Sequence, residues 1–167
     1  SRLISPRLDV EIDVQETQPY EFKGLIRIAG TKKQPLPAGD YAIAEAPDIF
    51  RVERRRAEDF NTIVSNPADH RPRLLRELEP LRAIPHRFLV IEGPLHANRG
   101  GGRLGQYHRN GLIDFLDSLT ARFGLQIIQA ESREEAEERT ANLAAIHYAY
   151  YLAEQQGLGR CLTENDV

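Results

Sequence analysis

The first third of the chain alternates apolar and polar positions with a period of two, which predicts β-strands that bury one face. Four short segments fit such strands: residues 8–14, 24–30, 41–44 and 49–54. The first segment ends near Asp13, and the third begins directly after Gly39 and Asp40. Because only a short loop separates the third and fourth segments, we expect them to pair as a hairpin.

The rest of the chain alternates helical and strand patterns. A helix is predicted from Ala57, is interrupted at residues 66–72, and resumes where leucines recur at helical spacing. Apolar runs predict buried strands at 88–93 and 125–130, and further helices are predicted at 111–123 and 132–157. A hairpin followed by alternating helices and strands favours an α/β fold in three layers, with a central mixed β-sheet flanked by helices.

A segment rich in glycine and arginine precedes the helix predicted at 111–123. Three consecutive glycines within it would weaken any helix or strand, so we expect residues 93–111 to form a loop. Its spacing matches neither a P-loop nor a dinucleotide-binding fingerprint. Two interpretations remain open: a connector, or a loop whose Arg99, Arg103 and Arg109 contact the backbone of DNA.

Length and composition indicate one globular domain. The 167 residues, 41% of them hydrophobic, are enough for a single core. We place this domain at residues 1–157, followed by a polar tail at 158–167. No apolar run is long enough to cross a membrane, and the single cysteine, Cys161, can form no internal disulfide. We therefore expect a cytoplasmic location and no membrane partner.

The distribution of charge favours binding of nucleic acid on one side of the protein. The net charge of -3 argues against a protein that coats nucleic acid non-specifically. Arginines nonetheless concentrate at 51–56 and 71–87, whereas 131–138 is dominated by glutamate. A basic face on an acidic body is typical of an enzyme that contacts DNA on one side only.

Two acids on the predicted hairpin could form a metal site. Asp40 begins one strand and Glu53 lies near the end of the next, so pairing would bring their carboxylates together. Carboxylate oxygens are ligands that Mg2+ and Mn2+ prefer. Arg55 lies two residues beyond Glu53 and should project from the same face, whereas Arg54 should point away. Asp13 could bring a further carboxylate to this edge of the sheet, as could Glu16 after it.

The segment RVERRRAEDF resembles the E-R-K-x-x-x-D signature of the XPF-type nuclease domain. Glu53, Arg54, Arg55 and Asp59 occupy its four fixed positions, and a Gly-Asp pair at 39–40 precedes it as in that family. The similarity continues in order along the chain, at segments 12–20, 71–83, 88–93 and 121–137. The first of these resembles the strand of bacterial members that ends in D-T-R-E-Q-x-P-Y. The chain as a whole looks most like compact bacterial or phage members.

This resemblance implies the restriction-endonuclease-like fold, Mg2+ or Mn2+ as cofactor, and cleavage of a phosphodiester bond in branched or flapped DNA. The metal ligands would be Asp40 and Glu53. The implied catalytic residues are Asp13, Glu16, Asp40, Glu53, Arg55 and Asp59. The residues expected to contact DNA are Arg54, Arg73, Arg76, Arg99, Arg103 and Arg109.

Two departures from the family pattern leave alternatives open. Arg55 stands where the family has lysine, and Gln15 stands where it has arginine. One alternative is a nuclease-silent module of the same fold that binds DNA structures. Another is a scaffold that forms a homodimer through its last helix, on which Tyr148 and Tyr151 are either packing residues or dimer contacts.

Overall fold

The structure is a computed structural model that describes residues 6–95 and 103–157, with residues 103–110 described by their backbone alone. Strands, α-helices and one 3-10 helix follow one another in these ranges: β1 (Leu8–Asp13), β2 (Ile28–Gln34), β3 (Tyr41–Ile43), β4 (Phe50–Arg56), α1 (Ala57–Ser65), α2 (Pro67–Leu78), the 3-10 helix (Glu79–Ala83), β5 (His86–Glu92), α3 (Arg103–Phe123), β6 (Gln126–Ala130) and α4 (Arg133–Gln155).

The strands of the described residues form one mixed sheet in the order β2-β1-β3-β4-β5-β6. The pairs β1 with β3 and β3 with β4 are antiparallel, so the predicted hairpin is confirmed. The pairs β1 with β2, β4 with β5 and β5 with β6 are parallel. The last residues of β1, β4 and β5 therefore lie at one edge of the sheet, next to the first residue of β3.

Helices cover both faces of the sheet, which confirms the three-layer α/β prediction. On one face, α4 packs against a core that includes Phe50, Val52 and Phe88. On the other face, α1, α2 and α3 enclose a core that includes Leu89 and Ile91, both fully buried. Burial of each such side chain contributes about 1.5–3 kcal/mol. Strand β4 thus has packed helices on both sides: Phe50 and Val52 enter the α4 core, and the residue between them points to the opposite face.

The second strand was wrongly placed by the sequence pattern. It was predicted at 24–30, but β2 begins only at Ile28 and continues through the polar residues to Gln34. Residues before it turn, with positive φ angles at Phe22 and Gly24. Because β2 lies at the edge of the sheet and is mostly exposed, it needs no apolar alternation, and lysines suit such an edge. β6 was predicted as a buried strand but is also an edge strand, and four of its five residues are exposed or only partly buried.

The helix boundaries also differ from the predictions. The interruption expected at 66–72 is a single residue, Asn66, because Pro67 occupies the first position of α2, where a missing N–H costs nothing. The loop expected at 93–111 is also too long, since α3 already begins at Arg103.

Residues 96–102, with Arg99, lie outside the described part of the chain, as does the tail at 158–167 with Cys161. No helix in the described part is both long and apolar enough to span a membrane.

Candidate functional site

Asp40 is fixed where the chain enters β3. Gly39 before it has a φ of +72°, and a Cβ at Gly39 would lie 3.2 Å from the carbonyl oxygen of Val52. Glycine therefore allows the backbone to approach β4 closely. The Asp40 N–H donates to that same oxygen at 2.8 Å, and its Oδ2 accepts from the backbone N–H of Arg54 at 2.7 Å. These contacts hold the Asp40 carboxylate beside the end of β4.

Glu53 lies on β4 with its side chain toward the helices α1, α2 and α3, and it is only 7% exposed. Arg55 projects from the same face of the strand, as alternation predicts. Its Nε donates to Glu53 Oε1 at 3.0 Å, and its Nη2 lies 2.9 Å from the same oxygen. The guanidinium of Arg55 thus stands directly against one oxygen of the buried carboxylate.

Burial raises the pKa values of both Asp40 and Glu53, and the charge of Asp40 adds repulsion at Glu53. Burial, followed by the charge of Asp40, raises the pKa of Glu53 well above its ordinary value, and Arg55 offsets only part of this. Burial also raises the pKa of Asp40, against the hydrogen bond from the backbone of Arg54. A divalent cation between the two carboxylates would relieve this repulsion, so the donor set fits one.

Two carboxylates could serve an ion that keeps other oxygens in its coordination shell. Among the residues whose side chains the structure describes, no group of three or more His, Cys, Asp or Glu is arranged to hold a metal. Mg2+ commonly binds through one or two carboxylates and completes its shell with water and substrate phosphate. Asp40 and Glu53 meet that requirement together.

Arg54 points to the opposite face of β4 and is enclosed by acids. Its Nε and Nη2 donate to the two oxygens of Glu16 at 3.0 and 2.9 Å, and its Nη1 donates to Glu92 at 3.0 Å. Glu92 also accepts from the hydroxyl of Tyr20 and, at 3.4 Å, from Arg133 on α4. We call these five residues the Arg54 cluster. It joins β4 to the loop after β1, to β5 and to α4.

The Arg54 cluster buries one arginine and two glutamates, and the more exposed Arg133 balances their charge. The side chains of Arg54, Glu16 and Glu92 are 7%, 6% and 9% exposed. Burial alone would raise the pKa of Glu16, but the hydrogen bonds from Arg54 and from the backbone of Gln18 hold it below its ordinary value. Both oxygens of Glu16 are therefore committed to Arg54. Sequence reasoning grouped Glu16 with Asp13 and Asp40 and did not single out Arg133, although Arg133 lies in the family-like segment 121–137.

Two other predicted acids have structural partners at the same edge. Asp13 Oδ1 accepts from the backbone N–H of Leu36 at 2.9 Å, which fixes the loop between β2 and β3. Asp59, in the first turn of α1, accepts from the backbone N–H of Arg56 at 3.3 Å.

Arg51 was not anticipated from the sequence. It is buried and donates to the carbonyl oxygen of Ala38 at 3.0 Å, which helps to fix the segment that leads into Asp40.

One open cleft of about 650 Å³ joins these residues. Its lining includes every residue predicted as catalytic, together with three of those predicted to contact DNA, namely Arg54, Arg73 and Arg76. It also includes Glu77 of α2, which sequence reasoning missed although its i,i+4 spacing from Arg73 is a recognisable signal. The side chains of Arg103 and Arg109 lie outside the described part of the structure.

The family model described as the ERCC4 domain matches residues 12–143, which is more than half of the chain. The chain belongs to the ERCC4 domain family. This match confirms the resemblance to XPF-type nuclease domains that the motif around Glu53 indicates. No curated protein sequence matches the chain.

Solved structures show the same fold. XPF from Aeropyrum pernix matches with a TM-score of 0.64 and 22% identity, over 83% of this chain and 61% of that one. XPF from Aeropyrum pernix in complex with DNA matches with a TM-score of 0.64 and 20% identity, over 84% of this chain and 64% of that one. The chain therefore spans less than two thirds of either protein. These matches confirm the restriction-endonuclease-like fold of this ERCC4 domain.

Proposed function

We propose that this ERCC4 domain is a divalent-metal-dependent endonuclease that hydrolyses phosphodiester bonds in branched, flapped or junction DNA. The observation that carries this proposal is the buried carboxylate of Glu53 with the half-buried Asp40, beside Arg55 in an open cleft. The family supports nuclease activity, and the related XPF structure with DNA supports DNA as the ligand. The substrate geometry rests on the family resemblance.

In this proposal Asp40 and Glu53 hold Mg2+ or Mn2+. Such an ion, when bound, polarises the scissile phosphate and makes water a better nucleophile at neutral pH. Arg55 provides a positive charge where the transition state gains negative charge, which favours the transition state over the ground state. Because a guanidinium stays protonated at any working pH, Arg55 acts electrostatically and does not remove the proton from water. Asp13 and Asp59 support the walls of the cleft.

Contacts to DNA are proposed on the α2 side of the cleft. Arg73 and Arg76 lie on an exposed face of α2 and line the cleft, so they suit contacts with phosphate rather than bases. Arg99, Arg103 and Arg109 remain predictions as further phosphate contacts.

Arg54 receives a different role here from the DNA contact expected from sequence. Because its guanidinium is buried and its backbone N–H binds Asp40, we propose that Arg54 and Glu16 position the metal-binding carboxylate.

The second candidate is a nuclease-silent module that binds DNA structures. It is favoured by one observation: Arg55, which stands where the family has lysine, is paired with Glu53, the proposed metal ligand.

Homodimerisation through α4 also remains a proposal. Tyr148 and Tyr151 stack on each other at 6.4 Å between ring centroids, and both pack against the core on the α4 face.

Incubation with labelled flap, fork, single-stranded and duplex DNA tests the two candidates. With Mn2+, we expect the protein to cut the flap and fork substrates, and with EDTA to cut none of them. Glu53→Gln should abolish cutting while retaining cooperative unfolding and DNA binding. Binding of the branched substrates without cutting under any metal would favour the silent module, and undiminished cutting by folded Glu53→Gln would place the active site elsewhere.

A further inference from the structure

The carboxylate of Glu77 joins two arginines at the wall of the cleft. Its Oε2 accepts from Nη2 of Arg55, and its Oε1 accepts from Nε of Arg73 at 2.9 Å. The two arginines come from different elements, β4 and α2. Each oxygen of this carboxylate therefore has its own guanidinium partner, one beside Glu53 and one on the outer surface.

This arrangement is also the one in which two guanidinium groups bind a phosphate. Carboxylate and phosphate present oxygens of similar spacing and charge, and guanidinium groups recognise both by charge-assisted hydrogen bonds. We propose that Glu77 occupies a phosphate subsite between Arg55 and Arg73, and that a backbone phosphate of the entering DNA strand displaces it. The identity of the ligand as DNA rests on the proposed function, whereas the subsite itself rests on the geometry of these three residues.

Exposure explains why Glu77, and not Glu53, is the acid that leaves. The side chain of Glu77 is 36% exposed, so water can solvate its carboxylate once the arginines turn to a phosphate. The side chain of Glu53 is 9% exposed and has no such access. Arg73, at 79% exposed, can follow an incoming strand without losing buried contacts. Its i,i+4 pair with Glu77 lies at the surface, where such pairs contribute little.

Displacement of Glu77 would also redistribute charge at the metal-binding pair. With Glu77 in place, Arg55 is shared between two carboxylates, and its outer side is neutralised. With a phosphate in that position, Arg55 would link the DNA strand directly to Glu53. Glu77 is thus a built-in competitor that lowers the affinity for DNA in the ground state. It would restrict tight binding to strands that place a phosphate between Arg55 and Arg73.

DNA affinity of Glu77→Gln, measured in EDTA by fluorescence anisotropy, tests this inference without any cutting. We expect the variant to bind a fork oligonucleotide about tenfold more tightly than the wild type, because one competing charge is removed. The slope of log affinity against log salt concentration should become steeper by about one unit. The phosphate then displaces counterions from the two arginines instead of displacing Glu77. Glu79→Gln is the matched control: it removes an exposed, arginine-paired acid two residues away and should change affinity little.

Further variants separate this inference from its rival, in which Glu77 merely orients Arg55. Adding Arg73→Ala to Glu77→Gln should remove the gain in affinity. Glu77→Ala, which offers no amide to Arg55, should give the same gain and guards against misfolding of one variant. Unchanged or weaker DNA binding by folded Glu77→Gln and Glu77→Ala would overturn the subsite, and a loss of cutting rate without tighter binding would assign Glu77 to orienting Arg55.

A titration with inorganic phosphate distinguishes failure of the subsite from failure of the proposed function. In Glu77→Gln, phosphate should shift the Nε–H resonances of Arg55 and Arg73 in NMR spectra more than an equal ionic strength of chloride does. If the wild type bound no DNA, the proposed function would fail, while this titration would still decide on the subsite. Absence of a phosphate-specific shift would overturn the inference even if the protein cut DNA.

Discussion

Arg54 and Arg55 are adjacent residues of the same strand, yet they lie in opposite environments. The side chain of Arg54 is 7% exposed and is enclosed by Glu16 and Glu92. The side chain of Arg55 is 23% exposed and faces the cleft between Glu53 and Glu77. Strand alternation separates the two, because successive side chains point to opposite faces of the sheet.

The acids on the two faces differ as much as the arginines. On the Arg54 face, hydrogen bonds hold the pKa of Glu16 below its ordinary value, so its charge is matched and satisfied. On the Arg55 face, burial and the charge of Asp40 raise the pKa of Glu53, and Arg55 offsets only part of this rise. A satisfied cluster stabilises one geometry, whereas an unsatisfied pair favours binding of a cation. The comparison supports a structural role for the Arg54 face and the proposed chemistry on the Arg55 face.

The largest expected effect is on folding, and it should separate the two arginines. Arg54→Met leaves Glu16 and Glu92 buried with reduced pairing, which should lower the free energy of unfolding by about 3–5 kcal/mol. Arg55→Met also leaves Glu53 buried, but the raised pKa of Glu53 lets that carboxyl take up a proton, so the loss should be smaller than in Arg54→Met. Urea denaturation without metal measures both values. Equal losses in the two variants would show that the faces do not differ in this way.

The next effect is on cutting, and it concerns Arg55. Removing one preorganised positive charge from a transition state lowers rates by about 100-fold or more. We therefore expect Arg55→Ala to lose about that much of the single-turnover cutting rate, and Arg55→Lys to keep or raise the rate. A lysine variant as slow as the alanine variant would mean that the planar guanidinium, rather than its charge, is required.

The smallest effect is on the pH dependence of stability, where the two faces should have opposite signs. Stability due to neutral Glu53 is fully present below its ordinary pKa of 4.5 and is lost as pH rises through the raised value. Stability due to Glu16 is present above 4.5 and is lost as pH falls through its lowered value. In EDTA, Glu53→Gln should therefore flatten the alkaline limb of a plot of Tm against pH, and Glu16→Gln the acid limb. The same limb flattened by both variants would contradict the comparison.

Local patterns in the sequence predicted much of the fold and the face on which Arg55 lies. Period-two alternation placed β1, β3 and β4, and the short loop between the last two predicted their pairing. The edge strand β2 was misplaced because an exposed strand carries no apolar pattern. The start of α3 was missed because glycine-rich composition outweighed helical spacing, although packing of the rest of the helix can offset such residues.

The contacts of the candidate site were predictable only in part. The motif around Glu53 and the Gly-Asp pair before it indicated the two carboxylates that we propose as metal ligands, and alternation separated Arg54 from Arg55. The partners of Arg54 come from segments far apart in sequence: Glu92 is 38 residues away, and Arg133 reaches Glu92 across 41 residues. No local pattern encodes such contacts, because they arise only when the sheet and α4 pack together. Glu16 was grouped with Asp13 because the two are close in sequence, whereas the structure pairs its carboxylate with Arg54.

Direct measurement of metal binding tests the central claim, that Asp40 and Glu53 together hold a divalent cation. Electron paramagnetic resonance can count free Mn2+ in titrations of the wild type, Asp40→Asn, Glu53→Gln and the control Asp48→Asn, which changes an aspartate that does not line the cleft. We predict that the wild type and the control bind Mn2+ alike and that the other two variants lose at least about tenfold in affinity. Undiminished Mn2+ binding by folded Asp40→Asn or Glu53→Gln would contradict the account.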